Sequence, residues 1–111
     1  MEISHSEADG VTVVVVNGRV DSATAPKMEE QLQELIKGDK TQLVLDLQAV
    51  DYMSSAGLRT LVSALKACKN LDGDLRLCNP APRVAEVMRL AGLVSIFTVY
   101  DSQADAVASF A

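Results

Sequence analysis

Val50-Asp51-Tyr52-Met53-Ser54-Ser55-Ala56-Gly57-Leu58-Arg59-Thr60-Leu61-Val62-Ser63-Ala64-Leu65 is the stretch around which the other segments arrange themselves. An apolar run, Leu43-Val44-Leu45-Asp46-Leu47, precedes it and reads as a strand. A short polar turn follows, and then Leu58, Leu61, Val62 and Leu65 recur at helical spacing. Two adjacent serines therefore sit at a helix start.

The first N–H groups of a helix have no intrahelical acceptor, and the aligned peptide dipoles place roughly +0.5 of an elementary charge there. A phosphate of about −1.5 to −2 charge on a serine at this point would meet unpaired donors. The same spacing fits an ordinary helix start, with Ser54 as the N-cap and Ser55 at the first helical position. Gly57 needs a further reason, because a glycine in a helix costs up to about 1 kcal/mol relative to alanine. Either the helix approaches the sheet closely there, or a partner's loop approaches a flat surface formed by Ser55, Ala56 and Gly57.

Outward from this segment, Asp9-Gly10 is a two-residue hairpin signal after a weak strand over residues 1–8. Val11 to Val16 is a β-branched strand that Gly18 is expected to break. Pro26 opens a helix with Met28, Leu32, Leu35 and Ile36 on one face, Glu29 and Glu30 near its positive end, and Gly38 as its stop. Gln42 to Leu47 reads as the central strand, and the helix from about Ser54 runs to Asn70 with Lys66 and Lys69 near its end. Leu75 to Cys78 alternates as a strand does, and Asn79-Pro80-Ala81-Pro82 reads as a rigid loop. Val84, Val87, Met88 and Ala91 form a helical stripe ending at Gly92. Ile96 to Tyr100 reads as a short strand, and Ser102 with Asp105 opens a terminal helix carrying Val107 and Phe110. The order β-β-α-β-α-β-α-β-α predicts a single α/β domain over residues 1–111, with a mixed sheet of about five strands and about four helices packed against it. The Asp21 loop, the Tyr52–Gly57 turn and the Pro80–Pro82 loop should share one edge of that sheet.

The chain has 111 residues, enough for one core, and 49% of them are apolar, yet no uncharged apolar run reaches membrane-spanning length. The acidic start lacks the basic and apolar regions of a secretory signal, so a cytoplasmic protein is expected. A net charge of −5 with scattered cations argues against direct nucleic-acid binding. Cys68 and Cys78 lack metal-site spacing and read as buried free thiols. The sole histidine, His5, stands apart from any nucleophile, and no phosphate loop or nucleophile elbow is present, so no catalytic, cofactor or metal site is expected. Asp21 and Asp46 are candidate bases, and neither has an identifiable partner.

Met53-Ser54-Ser55-Ala56-Gly57-Leu58-Arg59 after its Leu-Val-Leu-Asp-Leu strand resembles the phosphorylation segment of bacterial anti-sigma factor antagonists, which are STAS domains. Gly18-Arg19-Val20-Asp21-Ser22-Ala23-Thr24-Ala25-Pro26 is similar to that family's second signature. Ser54 stands where an Asp is often found, and Ala56 where a second Ser or Thr is often found. The resemblance implies a STAS fold, a phosphoacceptor at Ser55 and a contact surface drawn from Asp21, Ser22, Thr24, Met53, Ser54, Ala56, Gly57 and Arg59. It implies two partners: an anti-sigma factor that is also a serine kinase of the histidine-kinase-like ATPase fold, and a PP2C-type serine phosphatase. The second reading open to the same residues is a STAS regulator that docks on a membrane transporter without obligatory phosphorylation.

Overall fold

In the computed structural model, which describes residues 1–111, Asp9 and Gly10 both take positive φ, 54° and 81°. That twist lets two residues join antiparallel strands, and β1 (Glu2–Ala8) pairs with β2 (Val11–Val20) across it. The chain continues through α1 (Ala25–Lys37), β3 (Gln42–Met53), α2 (Ser55–Asn70), β4 (Asp74–Cys78), α3 (Pro82–Leu90), β5 (Val99–Tyr100) and α4 (Gln103–Ala108). The element order is the one expected. The sheet runs β1-β2-β3-β4-β5, with only the β1–β2 pair antiparallel.

Alternation along the strands separates two apolar faces. On one, Val14, Val16, Leu43, Leu45, Leu47, Leu75 and Leu77 pack with Met28 and Leu32 of α1, Leu61 and Leu65 of α2, and Val84 and Met88 of α3. On the other, Val11, Val13, Val44 and Cys78 pack with Ala106 of α4. The central strands are covered on both sides, which is why their apolar runs are nearly continuous.

Several boundaries differ from the sequence reading, each for a tertiary reason. Gly18 does not end β2. It takes φ +108° beside an irregularity in the β2–β3 pairing, and the strand resumes to Val20. The turn expected after Leu47 is strand instead, because Ala49, Val50, Tyr52 and Met53 find β2 partners, and Val50 and Met53 are buried. α1 does stop at Gly38, its C-cap, though it is the next residue, Asp39, that takes positive φ (67°). Glu29 and Glu30 lie beyond the first turn of that helix, which holds no acidic residue. Pro82 belongs to α3 rather than to a loop, consistent with the preset φ of proline at a helix start. Ile96 lies outside β5, which keeps only two residues.

The pairing also refines the expected clustering of loops. β4 pairs with β3 only as far as Cys78 opposite Asp46, whereas β3 continues seven residues further beside β2. Two of those seven are bulged, so the stretch spans only the five β2 residues from Val15 to Val20. At about 3.3 Å per residue the end of β4 is set back roughly 17 Å along the strands from Val20, and the three-residue loop at 79–81 starts from there. The Asp21 loop and the start of α2 meet at one edge without it.

Cys68 and Cys78 are free and buried on opposite faces of the sheet, so they cannot pair. Burial, with Asp74 behind it, pushes the Cys68 thiol up to about 11; burial, with Asp46 behind it, pushes Cys78 up to about 12. Both thiols are expected to resist a thiol-specific disulfide reagent at pH 8 and to react once urea unfolds the chain. An unfolded thiol releases its proton near the ordinary 9.0 while the folded ones hold theirs, so stability should be intact below pH 9 and fall as pH rises towards 11. Urea midpoints at pH 8 and 10 check that sign.

Candidate functional site

The start of α2 is fastened to the end of β2. Ser54 donates its N–H to the Val20 carbonyl (2.9 Å), and its own carbonyl accepts from the Leu58 N–H (3.0 Å). With extended φ −86° and ψ 173°, Ser54 turns its Oγ back to accept from the Gly57 N–H at 3.4 Å. This is N-cap geometry, and it makes Ser55 the first residue of the helix.

Ser55 is exposed, and neither its hydroxyl nor the N–H groups of Ser55 and Ala56 have a partner within the chain. Two unpaired donors at the positive end of a 16-residue helix thus accompany a free hydroxyl. Arg59 lies one turn further along the same face, exposed and in none of the chain's four ion pairs.

Gly57 is explained from below. A Cβ at that position would stand 2.7 Å from Val20 Cγ1 and 2.9 Å from Met53 Cγ. The missing side chain therefore lets the helix start sit directly on the ends of β2 and β3. Of the two explanations open in the sequence, close approach to the sheet accounts for this residue. As a consequence Met53, which is 2% exposed, and Gly57 are buried supports rather than parts of a contact surface. Ala56 is half-buried and Leu58 belongs to the core.

The neighbouring loop is held by Asp21. Its Oδ1 accepts from the N–H groups of Ala23 (2.9 Å) and Thr24 (3.1 Å), and its Oδ2 accepts from Arg19 Nε at 2.9 Å. The Thr24 hydroxyl accepts from the Asp21 N–H and donates to the Arg19 carbonyl, at 2.9 and 2.8 Å. The Arg19 guanidinium beside it, followed by the Thr24 and Ala23 N–H groups, holds the Asp21 carboxyl below the usual carboxylate range. Asp21 therefore stays ionised at neutral pH. Arg19 in turn lies 4.0 Å over the Tyr52 ring, linking this loop to the end of β3. Exposed Ser22 shares a shallow groove with Ala56 and Arg59, so the two signature segments are brought together.

The STAS domain family profile matches residues 2–106. The chain belongs to the STAS-domain family. BtrV of Bordetella bronchiseptica, named as a proposed anti-sigma factor antagonist, is 36% identical over 110 residues, covering 99% of this chain and 95% of that protein. The crystal structure of an anti-sigma factor antagonist from Mycobacterium paratuberculosis superposes with a TM-score of 0.89 at 29% identity, covering 97% of this chain and 92% of that one. SpoIIAA, a Bacillus cell fate determinant solved in phosphorylated form, is similar at a TM-score of 0.77 and 15% identity, covering 99% and 100% of the two chains; that likeness is one of fold.

Within this STAS domain the sequence reading missed Val20, whose methyl group sets the depth at which α2 is seated, and the Arg19–Tyr52 stack. The glycine in the first turn was the available signal for Val20. Nothing local marks Arg19 and Tyr52 as neighbours, since the strand register alone aligns them.

Three substitutions separate support from display. Gly57→Ala should lower stability by about 1–3 kcal/mol, the overpacking at Val20 and Met53 outweighing the gain in helix propensity. Ser54→Ala should cost about 0.5–1 kcal/mol as a lost cap. Ser55→Ala should fall within about 0.5 kcal/mol of wild type, as for an exposed side chain without partners. Urea unfolding of the three variants checks the order.

Proposed function

We propose that this STAS domain is a cytoplasmic anti-sigma factor antagonist whose binding is governed by phosphorylation of Ser55. In this reading the unphosphorylated form binds an anti-sigma factor that is also a serine kinase of the histidine-kinase-like ATPase fold, and so frees that factor's target. Phosphorylation at Ser55 weakens the complex, and a PP2C-type phosphatase restores it. The single observation that carries the proposal is the exposed Ser55 hydroxyl at the positive end of α2, beside two unpaired N–H donors.

The chemistry favours a switch over catalysis. Asp46 lies buried beneath α4, where its carboxylate accepts from Gln103 Nε2 (2.7 Å) and the Gln48 N–H (2.9 Å). Asp21 is engaged by its own loop. Neither is hydrogen-bonded to Ser55, and in this reading a group on the partner removes the proton.

A phosphate on Ser55 would be tolerated by the fold, because the donors around it are free and no carboxylate lines the adjoining groove nearest to Ser55. For a bound partner it would be unfavourable. A dianion within a packed contact loses hydration and repels like charge, and a penalty of about 3 kcal/mol is already about a hundredfold in affinity. Ser22, Ala56 and Arg59 form the rim of the proposed contact, while Asp21 and Thr24 hold the loop from which Ser22 projects.

Incubation with a candidate anti-sigma factor kinase and Mg-ATP, followed by peptide mass spectrometry, should find phosphate on Ser55 and none in Ser55→Ala. Ser55→Glu should bind the kinase about a hundredfold more weakly than wild type, a penalty of about 3 kcal/mol. Phosphate confined to Ser54, or tight binding by Ser55→Glu, would overturn the proposal.

A further inference from the structure

A groove begins at Ser55 and runs along α2 opposite the segment that joins α3 to β5. It consists of two adjoining depressions that share Val62, Lys66 and Asn70. Its apolar lining includes Leu58, Val62, Leu93 and Ile96. Ile96 is 47% exposed, and nearby Leu90 and Val94 are 71% and 54% exposed. The three fall within seven residues of sequence, and Ile96 among them lines the groove, so apolar surface is left uncovered along it, as where another molecule docks.

Charge identifies the occupant. The chain has 15 carboxylates against 10 Lys and Arg residues, yet Arg59, Lys66 and Lys69 line this groove and no Asp or Glu does. None of the three cations takes part in an ion pair; the four pairs engage Arg19, Lys40, Arg76 and Arg89. An apolar floor with unpaired cations along one wall is complementary to a helix whose one face is apolar and whose flank is acidic. The 16 residues of α2 give the groove a wall of about 24 Å, the length of four helical turns. No sheet edge opens into it for strand addition.

We infer that the groove between α2 and the α3–β5 segment binds an acidic amphipathic helix of the same partner that engages Ser55. This rests on the function proposed above and adds a second anchor to it. Lys66 lies eleven residues beyond Ser55, about 16 Å along the helix axis, so the far end of the groove anchors the partner away from the phosphoacceptor. A phosphate on Ser55 therefore acts at one end of the contact only, and the remainder stays available to the partner.

The test is a titration of the anti-sigma factor kinase against wild type, Lys66→Glu and Ile96→Ser, together with steady-state phosphorylation of Ser55. Thermal unfolding serves as the control for folding. Each variant should lose about tenfold in affinity, with the effect on phosphorylation falling on KM rather than on kcat, and the Lys66→Glu deficit should shrink at high salt. Variants that fold and bind as wild type does, while wild type binds, overturn the groove and leave the Ser55 switch standing. Failure of wild type to bind overturns that switch and the groove with it. A concentration-dependent dimer of the isolated chain that is lost in both variants also overturns the inference, since a second copy would then be the occupant.

Discussion

The seating of α2 on the ends of β2 and β3 is the contact on which the site depends. With no Cβ on Gly57, the first turn of the helix reaches Val20 and Met53 directly, and the Ser54 N–H bonds the last carbonyl of β2. That one approach sets the height and direction of the helix start. It turns Ser54 inward as a cap and leaves Ser55 facing outward. It also uses the apolar ends of both strands, so the rim of the site and the rim of the core are the same atoms.

The loop after β2 is fastened independently but to the same place. Asp21 ties together its own turn, and Arg19 spans from that carboxylate to the Tyr52 ring at the end of β3. Two parallel strands that finish side by side thus bring two separated sequence segments into one surface. Because each anchor is short-range and hydrogen-bonded or close-packed, the surface is formed before a partner arrives. In the function proposed above, that would limit the ordering cost of association and make affinity sensitive to a single added charge.

The asymmetry of the sheet supplies the rest of the surface. β3 outruns β4 by seven residues, so the carboxyl end of β4 does not reach the tip. The helix and short turn that follow, α3 and residues 93–95, leave Leu90, Val94 and Ile96 uncovered, and Ile96 lines the groove along α2. The opposite face is closed by α4, whose Gln103 takes up the buried Asp46 carboxylate.

Much of this was legible in the residues themselves. Helical spacing from Leu58 to Leu65, the β-branched run from Val11 to Val16 and the Asp9-Gly10 turn are local signals, and they gave the element order and fold class because local propensity and tertiary packing agree there. The serine pair at a helix start was equally local, and so was the oddity of Gly57. What Gly57 is for was not legible, since its neighbours Val20 and Met53 lie across a strand pairing that no sequence window contains. For the same reason the sequence placed Met53 on the surface, ended β3 at Leu47 and drew the loop at residues 79–81 up to the site. The extent of a strand is decided by the partner beside it, and which of two adjacent residues faces solvent is decided by what the backbone rests on.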